Sequence, residues 1–411
     1  MKTAAHPPTD GPPLWRVPGF RRFVTANLVS AAGSAAAPLA LAYAVIEQGG
    51  GARSLGTVLA AGTVPAIVFL LVGGLLADRL SRSRILFLGN LLAALAQGAL
   101  ALTVATGRAT TLSIAVCGFA SGAAAALTAP AAQGAVAQIV PARHLQQANA
   151  LLRLPTNAVK VLGPVVGGVV VATSGAAWAL AWDAATFAVA AVLLLGLRLD
   201  APLTTTGVLA DLRAGWAGFR ARTWLWTYTA AGTLLVAAWL AGFQLLGPLV
   251  AASHYAGARD WGFVQAAFTG GLLAGTLVCL RWKPHRLLAV AVAAGAGLAL
   301  PLAMLGLQLP LVCVLVSAVV AGIGLDIAIV AWNTAFQQHV PQAEQGRMSA
   351  LNGVGERLAI PLGYLLVAWA AGSWDDASVL LVCAGLVLAA VAANLCVPDV
   401  YRVNRRGDAQ R

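Results

Sequence analysis

A chain of 411 residues that is 60% hydrophobic, only 10% charged and has a mean hydropathy of +0.82 carries about half the charge fraction of a soluble globular protein. This composition excludes a soluble enzyme and points to an integral membrane protein. The formal charge of +12 is accounted for by membrane topology and attraction to anionic lipid, so no nucleic-acid partner is expected.

The apolar runs are continuous and about 20 residues long, enough to cross a ~30 Å hydrocarbon layer as helices. They lack the alternation of outer-membrane strands. Taken in order, spans are predicted near 23–46, 55–76, 85–106, 111–137, 148–173, 177–197, 225–252, 261–280, 287–307, 310–334, 348–371 and 378–397. The fold class that follows is an all-α membrane protein of twelve transmembrane helices. It divides into an N-terminal arm (1–22), a six-helix bundle (23–198), a linker (199–223), a second six-helix bundle (224–397) and a tail (398–411). No cleaved signal peptide is expected ahead of the first span.

Between spans two and three the run Gly74-Leu75-Leu76-Ala77-Asp78-Arg79-Leu80-Ser81-Arg82-Ser83-Arg84 packs an acid and three arginines into one tight hairpin. Span five carries Arg153, Asn157 and Lys160 at helical spacing, a stripe that Asn149 begins and Gly163 and Gly167 continue. Charges inside apolar spans are kept for a partner or a water-filled path. Two uses of the stripe stand: it lines a central path, or Arg153 snorkels to the interface. Lys160 lies deeper than Arg153 by about 10 Å at 1.5 Å per residue.

Further acids lie at Asp183 on span six, Asp326 on span ten and Glu356, beside Arg357, on span eleven. Asp326 and Glu356 are candidates to bind and release a proton as the path opens and closes. The alternative for Glu356 is an ion pair with Arg357 or Lys160 that locks helices together. Asp183, near Trp178 and Trp182 at the start of its span, reads as a capping acid. In the linker, Leu209, Leu212, Trp216 and Phe219 fall at helical spacing, with Asp211, Arg213, Arg220 and Arg222 on other faces. That pattern suits either an amphipathic surface helix or a solvated connection.

Lysines and arginines fall almost entirely on the side of both termini, leaving Arg53, Arg108 and Arg259 opposite, which places both termini in the cytoplasm of an inner or plasma membrane. Cys117, Cys279, Cys313, Cys383 and Cys396 lie in apolar runs and read as small hydrophobes. The histidines show no zinc spacing. Trp15, Trp178, Trp224, Trp261, Trp282 and Trp374 read as interfacial anchors, while Trp239, Trp332, Trp369 and Phe336 sit deeper, for packing or for stacking on cargo.

The two halves repeat. Gln138-Ile139-Val140-Pro141 recurs as Gln338-His339-Val340-Pro341, and the same offset matches Ala150-Leu151 to Ala350-Leu351, Gly122 to Gly322 and Gly163 to Gly363. Duplicated six-helix units of this kind are pseudo-symmetric and enclose a path that opens alternately to each side.

With these residues in place, the chain resembles the major facilitator superfamily over nearly all its length. The hairpin is similar to the family signature G-x-x-x-D-R-x-G-R-[KR]-[KR], with Gly74, Asp78, Arg79, Arg82 and Arg84 matching and Ser81 and Ser83 departing from it. The resemblance implies that Asp78 gates by pairing with the start of span eleven, where Arg347 is the nearest candidate. Gly163-Pro164-Val165-Val166-Gly167-Gly168 resembles the G-P-x-x-G-G end of a motif of drug and metabolite antiporters, which implies a conformational role for Gly163, Pro164, Gly167 and Gly168. Close helix packing is the plainer use. The Asn149-Ala150-Leu151 and Arg347-Met348-Ser349-Ala350-Leu351 segments are similar to the exporter branch that includes enterobactin-type siderophore efflux proteins.

The expected function is alternating-access transport of a small organic molecule, as proton-coupled export of a drug, siderophore or other metabolite. An uptake carrier and a non-transporting sensor are the alternatives. No cofactor is expected beyond the proton gradient, and no enzyme chemistry or ATP hydrolysis, since no Walker loop occurs. Arg153, Lys160 and Arg357 favour an anionic or chelating substrate. The expected partners are that substrate and membrane lipid, with the monomer as the functional unit.

Overall fold

The computed structural model describes residues 14–77, 81–141, 144–197, 199, 216, 218–282 and 284–404. Among the described residues the regular structure is helical throughout, with no strand. Span one comprises Pro18–Ser34 and Ala37–Ile46; spans two to six are Ala52–Ala77, Arg82–Ala105, Thr111–Ile139, Leu145–Ser174 and Ala176–Leu194. Span seven runs Thr223–Leu240, through a π-turn at Ala241–Leu246, into Gly247–His254. Spans eight to twelve are Ala258–Arg281, Leu287–Gly306, Leu311–His339, Gln342–Ala370 and Asp376–Leu395. Eleven of these are long and apolar enough to cross a membrane. Span eleven is the exception, with Glu344, Arg347, Glu356 and Arg357 distributed along 29 residues.

Every predicted span meets a helix, with two differences. Span one begins at Pro18, inside the segment expected to be an arm, because proline fits the first helical turn and helix formation does not need the apolar run that Arg21 and Arg22 interrupt. Spans one, seven and nine are also not continuous α-helices, the last passing through a 3-10 turn at Gly295–Leu298. Spans one and seven are interrupted just ahead of a proline, Pro38 and Pro248, whose ring removes one backbone donor and crowds the carbonyl four residues earlier.

The repeated glycines make equivalent contacts in the two bundles. A Cβ on Gly122 would meet the backbone of Gly62 on span two, and one on Gly322 would meet the backbone of Phe268 and Leu272 on span eight. Gly163 packs against Ala35 of span one, and Gly363 against Ala237 of span seven. Duplication thus preserved where backbones must approach closely.

The apolar core shows how the halves meet. On the side away from the termini, one buried cluster joins Leu39, Tyr43, Leu55 and Val58 of the first half to Trp239, Phe243, Trp261 and Tyr364 of the second. Among the described residues, the buried clusters on the terminal side each lie within one half. One cluster around Phe20, Phe23, Leu86, Ala135 and Leu194 belongs to the first half, and others around Leu288, Val292 and Ala335 and around Phe219, Leu225 and Met348 belong to the second.

Candidate functional site

On the far side, span five of the first bundle packs on span eight of the second, and span two packs on span eleven. The sequence permits this through small residues: a Cβ on Gly168 would lie 2.7 Å from the Ala258 carbonyl oxygen, and one on Gly262 would lie 2.5 Å from that of Pro164. Gly56 meets the Tyr364 carbonyl in the same way, at 2.9 Å. The Tyr43 hydroxyl adds a polar tie, donating to the Pro248 carbonyl at 3.4 Å. Gly163 and Gly167 press on Ala35 and Ala36, the two residues at which span one is interrupted. The four residues of the Gly-Pro motif therefore stand at the far-side closure, touching both the break in span one and the opposite half.

Span five gives the cleft its charge. At about 100° per residue, Arg153, Asn157 and Lys160 occupy the arc between the face that touches span one, marked by Gly163 and Gly167, and the face that touches span eight, marked by Gly168. All three side chains are exposed, on the terminal side of the closure. Leu154, Leu162, Val166 and Val169, on the other arc, are the exposed apolar residues of a lipid-facing surface. On span eleven, Arg357 is exposed on the arc of Tyr364 and Ala368, which face span two of the other half. Asn157 and Arg357 also sit at corresponding positions of the repeat. Among the described residues, Arg153, Lys160 and Arg357 form no ion pair.

The two predicted acids are placed elsewhere. Asp326 lies in the seam between spans ten and eight, where Gly275 packs on its Cβ side and the Thr276 hydroxyl donates to its Oδ2 at 2.9 Å. Glu356 is half-buried on the face of span eleven that meets span seven, hydrogen-bonded with Asn352, which in turn accepts from Thr229 at 2.8 Å. It lines a cavity of about 230 Å³ inside the second bundle, walled by the parallel stack of Tyr228 on Trp332 at 3.9 Å. Glu356 makes no ion pair with Arg357 or Lys160 among the described residues. Arg153, Asn157, Lys160 and Arg357 thus lie exposed on helix faces directed toward the other half, with Asp326 and Glu356 outside that group.

Of the hairpin residues, Asp78 and Arg79 lie outside the described residues, as does the side chain of Arg347 within its helix. Gly74 falls in the last turns of span two. Arg82 opens span three and donates to the Gly134 carbonyl of span four at 3.1 Å, a contact that Gly134 makes possible because a Cβ there would overlap the guanidinium. Arg84 is exposed. Most of the expected amphipathic linker helix also lies outside the described residues. Its end stacks Trp216 on Phe219 and anchors Arg222 to Glu344 at 2.9 Å.

Asp183 corrects the sequence reading. Instead of capping span six it lies inside the helix, wholly buried, with its Oδ1 accepting from the Ser34 hydroxyl at 3.3 Å. Helical counting from Ala176 gives its turn but not its burial, which span one imposes. Trp239 is likewise a core residue, stacked on Phe243 at 4.3 Å, whereas Trp369 is exposed.

Comparison with known proteins agrees with this architecture. The enterobactin exporter EntS of Shigella flexneri is 30% identical over 210 residues, and that of Escherichia coli 29% over 212; each match covers 51% of this chain and 50% of the relative. The chain therefore spans about half the length of the curated relatives it matches. Among solved structures, a bacterial homologue of the iron transporter ferroportin in an inward-facing state has a TM-score of 0.70 at 15% identity, covering 93% of this chain and 98% of that one. The nucleoside transporter NupG has a TM-score of 0.71 at 15% identity, covering 92% and 98%. These likenesses are of fold. The Major Facilitator Superfamily model matches residues 23–364. With two repeated six-helix bundles packed together on one side around small residues, the chain is a multi-pass membrane protein that belongs to the Major Facilitator Superfamily.

Proposed function

We propose that this protein is a secondary transporter of the plasma membrane that exports a small organic anion in exchange for protons by alternating access. The carrying observation is the cleft on the terminal side, where Arg153, Lys160 and Arg357 stand exposed and unpaired among the described residues. Arg153 and Lys160 share one helix face with no ion-pair partner among the described residues, so they repel one another, and an anion entering beside them removes that cost. Asn157 adds a neutral donor and acceptor to the same face.

The terminal side is read as cytoplasmic. Arg21, Arg22, Arg84, Arg222, Arg281, Arg286 and Arg402 lie there, against Arg53, Arg108 and Arg259 on the far side. A cleft open to the cytoplasm is the loading state of an exporter, and the naming of a relative as an exporter supports that direction. Asp326 and Glu356 remain candidates for proton exchange, each held in the second bundle close to the helices that must move.

Inverted membrane vesicles test the reading, with enterobactin, the cargo in the relative's name, as first probe and simple aryl carboxylates beside it. An imposed proton gradient is expected to drive uptake of an anionic probe. Arg153→Gln with Lys160→Gln should reduce it at least ~10-fold, about 1.4 kcal/mol. Preference for a permanently cationic probe, or full uptake by the double variant, contradicts the anion assignment. Full gradient-driven uptake by Asp326→Asn and Glu356→Gln removes those two from the proton path.

A further inference from the structure

Asp183 is the buried acid that the anion cleft does not use. It is 0% exposed, and its carboxyl lies against the point where span one is interrupted: a Cβ on Gly33 would fall 2.6 Å from Oδ1 and 2.9 Å from its Cα. Ser34 donates to Oδ1, while Oδ2 is sealed from solvent with no hydrogen-bond partner.

The helices around it supply no counter-charge. Span six has no other ionisable residue. Span one contributes Arg21 and Arg22 at its terminal end and Tyr43 and then Glu47 at its far end, all more than two turns from Ser34. Span three has Arg82 and Arg84 at its terminal end only; at the depth of Asp183, where Gly98 faces Ala184 at 3.8 Å, it presents neutral Gln97, whose Oε1 is also buried without a donor. Span five offers Arg153 and Lys160, both exposed, the latter one turn before Gly163. None of these cations pairs with Asp183 among the described residues.

An ionised carboxylate with one hydroxyl donor and no water is poorly accommodated here, whereas a carboxylic acid fits, since the orphaned oxygen then carries the hydrogen. A route for that hydrogen lies on the terminal side. Ser30, one turn before Ser34, and Phe187, one turn after Asp183, line a cavity of about 110 Å³ together with Asn27, Asn90 and Thr128. The far half of span one, beyond the break, carries Tyr43 and its tie to Pro248.

We propose that Asp183 is a proton-binding site of the transport cycle: protonated, it lets span one close the far side, and on losing its proton it drives that side open. The inference rests on the proton exchange proposed above and assigns a residue to it. On release the carboxyl O–H bond breaks, the proton passes to water in the Asn27–Asn90 cavity, and the carboxylate left behind is stabilised by the water that enters when the break in span one widens.

The test is made on the full chain in lipid nanodiscs, with the exposed native cysteines replaced and spin labels on Gln48→Cys and Ala256→Cys, one on each half of the far side. Lowering the pH should raise the short-distance, closed population in the parent protein. Asp183→Asn, a neutral isostere, should hold the closed distance across the whole pH range. In unlabelled protein, the infrared carbonyl band of a protonated carboxyl should disappear in Asp183→Asn, a readout that a merely misplaced helix does not reproduce. A parental pH response in Asp183→Asn, or an unchanged carboxyl band, overturns the assignment. If the response instead disappears in Asp326→Asn or Glu356→Gln and survives in Asp183→Asn, proton coupling stands and Asp183 falls. A pH-insensitive parent removes both.

Discussion

Spans five and eleven occupy corresponding places in the two bundles, and their contrast separates what the fold requires from what the cleft requires. Both keep the glycine that meets the first span of its bundle, Gly163 on Ala35 and Gly363 on Ala237. They differ on the arc that faces the other half, where Arg153, Asn157 and Lys160 correspond to Gly353, Arg357 and Ile360. The interiors differ in the same way. At corresponding places among spans one, three, four and six and spans seven, nine, ten and twelve, the first bundle has a cavity of about 110 Å³ lined by Asn27, Ser30, Asn90 and Thr128, and the second a more apolar one of about 230 Å³, where Thr128 and Ala132 correspond to Ala328 and Trp332. Packing positions have been conserved between the halves while side chains facing open space have diverged. The first half therefore carries more of the charge on the arcs that face the other half, and the second has the larger and more apolar of these two cavities.

The largest effect is expected where the halves agree. Gly122→Ala and Gly322→Ala each drive a methyl into the backbone of the neighbouring helix, and overpacking of this kind costs about 1–3 kcal/mol. Thermal unfolding in detergent should show similar losses for both; a loss in one alone breaks the equivalence. Next comes the divergent face. Arg153→Gln or Arg357→Gln should lower uptake of an anionic probe by about 10-fold, or ~1.4 kcal/mol, while Ile360→Ala at the partner position of Lys160 should leave it nearly unchanged. A large effect of Ile360→Ala means that the cleft is symmetric after all.

Tyr43→Phe removes the hydroxyl that ties the halves together. At about 1 kcal/mol for a hydrogen bond, it should raise the population open on the far side by roughly fivefold, read from the same spin-label pair. The smallest effect belongs to Glu47, beyond the end of span one, which accepts from the Ala176 N–H at 3.2 Å. Burial pushes its carboxyl up from the usual range, and the bond from Ala176 pulls it partly back. A carboxyl raised in the folded state is best tolerated below its unfolded range, and its contribution declines as pH rises through the folded value. Glu47→Gln should thus be slightly more stable than the parent at neutral pH, and the difference should vanish on acidification.

The twelve spans and the repeat were legible because both are written in long apolar runs and in glycines whose contacts recur. Charge on span five was legible as a stripe, since helical spacing alone sets which residues share a face. Other features depend on neighbours. Glu356 and Arg357 are adjacent in sequence, yet packing on span seven turns the first inward and leaves the second facing the cleft. Asp183 read as a cap because its depth is fixed by Gly33 and Ser34 of another helix. The interruption of span one had a local cue in Pro38, but its role as the seat for Gly163 and Gly167 comes only from tertiary contact.

The central claim is that a cationic cleft between the halves opens to the cytoplasm while the opposite side is closed. Single cysteines at Arg153→Cys, Asn157→Cys, Lys160→Cys and Arg357→Cys, treated with a membrane-impermeant thiol reagent, test it most directly. All four should react in inverted vesicles and resist the reagent in right-side-out cells, with Ala368→Cys, packed on Gly56, protected in both. Failure of all four to react from the cytoplasmic face, or equal reaction from both faces, contradicts it.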